Sequence, residues 1–88
     1  MNKLEKTENM LNYEKIHDDC REIFKGDRDL SEKLIDFNAY LHNNLNGDNG
    51  TMRTLLVIGK PFKNNPIVKN NLEILSYKLK TNLNTNFI

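Results

Sequence analysis

The sequence is poor in the residues that cross-linked or rigid folds use. Its 88 residues include one cysteine, Cys20, two prolines and no tryptophan. One thiol cannot form an internal disulfide, so nothing indicates an oxidising compartment. No apolar run reaches the ~18 residues of a membrane helix, and the first six residues lack the apolar stretch of a secretory signal. We therefore expect a cytoplasmic protein without a membrane span.

Motifs for catalysis or metal binding are also missing. The sequence has no nucleophile elbow, phosphate-binding glycine loop or paired-cysteine motif. His17, Asp18 and Cys20 are residue types that bind zinc, but a structural site needs four ligands, and Cys20 falls on an apolar helix face. The loop 44–50 lacks the glycine and glutamate spacing of a calcium loop and predicts a turn. We expect no enzymatic activity, no metal and no cofactor.

What the sequence does have is charge sorted by position. Residues 1–50 carry 7 Lys/Arg against 11 Asp/Glu, whereas residues 51–88 carry 6 Lys/Arg against one acid, Glu73. Such asymmetry predicts that the basic half meets an acidic surface, either in the chain's own first half or on a partner.

Two amphipathic helices are predicted in the first half. In 4–25, apolar residues recur every three or four positions, and Gly26 is suited to end the helix. In 30–45, the apolar residues recur at the same spacing, preceded by Asp29 and Glu32 in a capping-box arrangement. The predicted stripes comprise Met10, Tyr13, Ile16, Cys20, Ile23 and Phe24 in the first helix, and Leu30, Leu34, Phe37, Leu41 and Leu45 in the second.

The segment 51–58 fits two interpretations. Its run Leu55-Leu56-Val57-Ile58 has the composition of a buried strand, yet the spacing also fits a short helix that ends at Gly59. A strand would have to pair with the C-terminal tail, another subunit or a partner.

The last predicted helix, 66–83, begins with Asn65 as N-cap and Pro66 in the first turn. Its leucine stripe has the rhythm of the second helix, so the two should face each other. We predict one small domain over 1–88, mainly α, with helices at about 4–25, 30–45, 51–58 and 66–83 and frayed residues 82–88. The alternative is an α+β fold with a strand at 52–58.

Two charged surfaces are candidates for partner binding. The less favoured of the two is a row of acidic residues on the first helix, because basic residues alternate with the acids along the chain. A basic segment around an aromatic ring could bind an acidic protein, or grip a phosphate backbone and stack a base, with Asn70 and Asn71 available to read adenine. The basic set is Arg53, Lys60, Phe62, Lys63 and Lys69, and the acidic set is Asp18, Asp19 and Glu22.

These features favour a non-catalytic binding protein that inhibits a host defence protein stoichiometrically and comes from a phage or mobile element. The 15 asparagines, and ten lysines against three arginines, are typical of an AT-rich genome. In size and helical class the chain resembles both phage-encoded anti-CRISPR inhibitors and bacteriocin immunity proteins, with no shared motif residues. The alternatives are a small nucleic-acid-binding regulator using residues 53–69, and an immunity-like helical protein. A second copy of the chain is a further candidate partner.

Overall fold

Residues 8–83 of the protein fold as a bundle of four α-helices. The computed structural model describes residues 8–83, with side chains from residue 13 onward. The helices are α1 (Glu8–Phe24), α2 (Leu30–Asn43), α3 (Asn49–Gly59) and α4 (Lys69–Lys78), with a short 3₁₀ helix, Lys60–Phe62, after α3. No strand occurs between residues 8 and 83. The mainly-α prediction is confirmed, and the alternative strand at 52–58 is wrong because that segment lies inside α3.

One apolar core joins all four helices. Helix α1 packs against α2 and α3, and α4 packs against the same two. Since each fully buried aliphatic side chain contributes about 1.5–3 kcal/mol, this small cluster provides most of the driving force for folding. The buried apolar residues are Ile16, Cys20, Leu34, Phe37, Leu41, Met52, Leu55, Leu56, Val68, Leu72 and Leu75.

The side-chain hydrogen bonds that cap the helix N-termini differ from the predicted ones. Asp29 occupies the N-cap position of α2, but its side chain makes no capping hydrogen bond, so the predicted capping box is wrong. Helix α3 does have a side-chain cap, because the Thr51 N–H donates to Asp48 Oδ1 at 2.7 Å. Residues 1–7, where the first helix was predicted to begin, lie outside the described residues.

Helix α4 is shorter than the predicted 66–83. Asn65 caps a preliminary turn, with its Oδ1 accepting from the Ile67 N–H at 2.9 Å, and the α-helix begins only at Lys69. At the other end, Lys80 adopts a left-handed conformation with φ 57°. The N–H groups of Lys80 and Thr81 donate to the carbonyls of Tyr77 and Ser76, which is the bonding pattern of a Schellman motif. The chain therefore turns back at residue 80.

A close approach of helices occurs at Gly59, the last residue of α3. A Cβ atom there would lie 2.6 Å from Leu72 Cδ2 and 3.2 Å from Phe37 Cε2. Both neighbours are fully buried, so neither can move aside without disturbing the core. Phe24 extends this region, since its ring contacts Phe37 at 5.2 Å and Phe62 at 5.5 Å between centroids.

A partly buried amide pair lies between α2 and α4. Asn71, which is only 7% exposed, donates through Nδ2 to Asn38 Oδ1 at 2.9 Å. Lys78 adds a second polar link, since its Nζ donates at 2.8 Å to both the Leu45 carbonyl and Asn46 Oδ1. These bonds place α4 against α2 and the loop that follows it.

Gly59→Ala should lower the free energy of unfolding by about 1–3 kcal/mol, because the added methyl group overpacks the core. Gly50→Ala is the matched control: the nearest atom to its Cβ would be Asp48 Oδ1 at 3.5 Å, so stability should stay equal or rise slightly. Urea unfolding of both variants provides the measurement. Equal stabilities would contradict the close approach at Gly59.

Lys80→Gly should raise the free energy of unfolding by about 0.5–1 kcal/mol, since a non-glycine residue in the left-handed region carries a steric cost. Lys80→Ala removes the same charge but keeps the Cβ atom, so it should leave stability nearly unchanged. Thermal melts monitored by circular dichroism distinguish the two. A similar gain in both variants would assign the effect to the lysine side chain and not to the backbone.

Candidate partner-binding surface

The turns on either side of α4 form an open cleft of about 380 Å³ in the basic half of the chain. Lys63 and Asn64 approach it from the turn after the 3₁₀ helix, and the Schellman motif brings the chain after Lys80 back to it. Its walls carry mainly charged, amide and hydroxyl groups. The lining residues are Lys63, Asn64, Lys69, Glu73, Ser76, Thr81, Asn82 and Leu83.

Helix periodicity explains the contribution of α4 to the cleft. Lys69, Glu73 and Ser76 are spaced four and three residues apart, so they lie on one face of the helix. The adjoining face contains Leu72 and Leu75, which are fully buried in the core. The same amphipathic pattern that packs the helix thus presents its polar residues to the cleft.

The five predicted basic-segment residues separate into three groups. Lys63 and Lys69 both line the cleft. Neither Arg53 nor Lys60 lines the cleft. Arg53 is exposed on α3, and Lys60 is the first residue of the 3₁₀ helix. Phe62 is half-buried against the core, with its ring stacked on that of Phe24 at an interplanar angle of 10°.

Sequence reasoning missed Tyr77. Its side chain is 83% exposed, the highest value among the exposed large apolar residues of the described chain. It follows Ser76 directly and lies one turn after Glu73, so it borders the face of α4 that lines the cleft. The available signal was its position outside the Val68–Leu72–Leu75 stripe.

The predicted acidic residues on α1 are paired with neighbouring cations. Asp18 forms an ion pair with Arg21, and Glu22 with Lys25 at 3.0 Å. Asp18 and Arg21 also line a second open cleft, of about 450 Å³. Both cations lie three residues after their partners, in α1 or directly after it, so the carboxylates of this face are partly neutralised locally.

Asp19 differs from its neighbours because it connects two helices. It forms an ion pair with Lys15 at 2.8 Å and accepts a hydrogen bond from the Tyr40 hydroxyl of α2 at 2.7 Å. The bonds from Lys15 and Tyr40 lower the pKa of Asp19. Burial, together with the hydrogen bond to Asp19, raises the pKa of Tyr40.

Cys20 is a core residue, as its position on the apolar face of α1 predicted. Its side chain is 4% exposed, and burial together with the charge of Asp19 raises the pKa of the thiol to about 11. The thiol is therefore protonated and weakly nucleophilic near neutral pH. Among the described residues, no group of three His, Cys, Asp or Glu side chains is arranged to hold a metal ion.

No protein-family model, curated protein or solved structure matches this chain. In residues 8–83, no helix combines the length and the apolar character required to cross a membrane.

Tyr40→Phe should lower the free energy of unfolding at pH 7 by about 1 kcal/mol, because it removes a hydrogen bond to a charged acceptor. The folded-state pKa of Asp19 is lowered, so its contribution is complete above about pH 4 and is lost as pH falls through the folded-state pKa. The difference between the two proteins should therefore shrink in acid.

Urea unfolding from pH 7 to pH 3 tests this expectation. Tyr77→Phe is the matched control, since that tyrosine is exposed and its substitution should have little effect. A pH-independent difference for Tyr40→Phe would contradict the assigned hydrogen bond.

Proposed function

We propose that the protein is a non-catalytic binding protein that occupies an acidic surface of a partner protein in a stoichiometric complex. The observation that carries the proposal is the cleft in which Lys63 and Lys69 lie together. Their ammonium groups, with the amide and hydroxyl donors around them, match the acceptor chemistry of Asp and Glu side chains. Electrostatic attraction from the basic half would also accelerate encounter with such a partner.

Tyr77 supports a protein partner. Tyrosine is enriched at protein interfaces because its ring adds apolar contact area and its hydroxyl adds a hydrogen bond. An exposed tyrosine beside a polar, cationic cleft therefore combines a candidate anchor with a charged recognition site. This combination extends the proposed surface beyond the residues that the sequence pattern indicated.

Two contacts favour a protein over the alternative nucleic-acid ligand. One face of Phe62 is stacked on Phe24, so that face cannot receive a base. Asn71 is buried and bonded to Asn38, so its amide cannot reach a base edge. A nucleic acid would therefore lose one face of the aromatic platform and one of the two amide readers that the sequence suggested.

The inhibitor hypothesis is a narrower form of the same proposal. In this form the partner is a defence protein of a bacterial host, and binding blocks its activity. The supports are the asparagine- and lysine-rich composition and the small size of the chain. Restored phage infection in cells that express the protein would support it, and unchanged defence would contradict it.

Reversing the two cleft lysines, Lys63→Glu with Lys69→Glu, should weaken partner binding by at least about 100-fold, because like charges placed together in an interface cost several kcal/mol. The partner is first isolated from the native host by affinity capture with the unaltered chain. Binding of each purified variant is then measured by calorimetry, with circular dichroism to check folding.

The control is the double variant Arg53→Glu with Lys80→Glu. It changes the net charge by the same amount in the same half of the chain, at exposed positions that do not line the cleft. It should retain most of the affinity. Equal losses in both double variants would assign binding to net charge, and full binding by the lysine variant would refute the cleft. Gel shifts with nucleic acid at low salt, without a captured protein, would favour the alternative function.

A further inference from the structure

The cleft contains one feature that a simple anion-binding site would not have. Glu73, the only acid in residues 51–88, lines the same cleft as Lys63 and Lys69. It lies four residues after Lys69 on α4, which corresponds to about 6 Å along the helix axis. The cleft therefore presents positive charge at the start of α4 and negative charge one turn later.

Hydrogen bonds hold the backbone of α4 in place at the turn that contains Glu73. Ser76 is buried, and its Oγ donates to the Glu73 backbone carbonyl at 2.8 Å. On the opposite side of α4, Asn71 is bonded to Asn38, which fixes the helix against α2. The order of charges along the cleft is consequently set by the fold.

This order of charges favours some ligands over others. A nucleic-acid strand or a run of acidic residues repeats its negative charge, so a ligand aligned on the lysines places a further anion near Glu73. A segment that has one acid followed by a base or an N–H donor would satisfy both ends of the cleft. Discrimination then comes from repulsion of the wrong ligand as well as attraction of the right one.

We infer that the cleft binds a protein segment with an acidic and a basic side chain about one helical turn apart, and that Glu73 determines this specificity. The inference rests on the proposed function and specifies the ligand of the same site. The Lys69 end of the cleft receives the carboxylate of the ligand, and Glu73 receives its cation.

Three probes of similar length test the inference. The first is a helical peptide with one glutamate followed, four residues later, by one lysine, and the second replaces that lysine with glutamate. The third is an oligothymidylate. Each is titrated to millimolar concentration into the ¹⁵N-labelled full chain at low salt, and the amide resonances of the cleft residues are followed by NMR.

The unaltered chain should bind the mixed-charge peptide most tightly. Glu73→Gln should abolish that preference and strengthen binding of the two-glutamate peptide and the oligothymidylate by about three- to tenfold, because one repulsive contact at short range is removed. Glu32→Gln is the matched control, since Glu32 is an exposed acid of α2 that does not line the cleft. It should reproduce the unaltered order of affinities.

The inference is overturned if the polyanionic probes bind the unaltered chain at least as well, if Glu73→Gln leaves the order unchanged, or if no probe shifts the cleft resonances. These outcomes are separable from failure of the proposed function. A captured partner that requires Lys63 and Lys69 but binds Glu73→Gln normally would refute only the inference. Binding of the mixed-charge peptide with no cellular protein partner would refute only the proposed function.

Discussion

The contact that the rest of the structure depends on is the close approach of α3 to its neighbours at Gly59. Because this residue has no side chain, Leu72 of α4 and Phe37 of α2 can reach the backbone of α3. A chain of 88 residues has a small core, and three of its helices converge at this one site. The segment that connects α3 to α4 begins at this point, and it supplies Lys63 to the cleft.

The two charged halves differ in how their charges are used. In the first half, Asp18 and Asp19 each form an ion pair with a cation of α1, and Glu22 pairs with Lys25 just after the helix. Exposed pairs of this kind add little stability but reduce the local field. In the second half, Lys63 and Lys69 are brought into one cleft from different segments. Both side chains therefore line the same part of the surface.

The sequence predicted the helices well where regular apolar spacing coincided with a residue suited to end a helix. The stripe of α2 was buried as expected at Leu34, Phe37 and Leu41, although Leu30 is half exposed. Gly26, predicted to end α1, has the positive φ of 90° that such a residue adopts. Both features are local, so a single sequence is sufficient to recognise them.

At residues 52–58 the predicted helix forms and the alternative strand does not, because a lone strand would have lacked a partner. The predictions failed where a rare backbone state or tertiary packing decided the outcome. Helix α4 ends early because Lys80 adopts a conformation that usually indicates glycine. Of the cleft residues, the sequence predicted Lys63 and Lys69 as a binding site but not Thr81–Leu83. Those three residues approach Lys63 only because the chain turns back at Lys80.

The amide pair between Asn38 and Asn71 has a consequence for how uniquely the chain folds. Leucine stripes with equal spacing permit neighbouring helices to slide by one turn with little loss of apolar contact. Such a slide would separate the two amides and leave a desolvated Asn71 without its acceptor, at a cost of about 1–3 kcal/mol. The pair therefore fixes the register of the two helices. It replaces some apolar contact with a hydrogen bond that forms in only one alignment of α2 and α4.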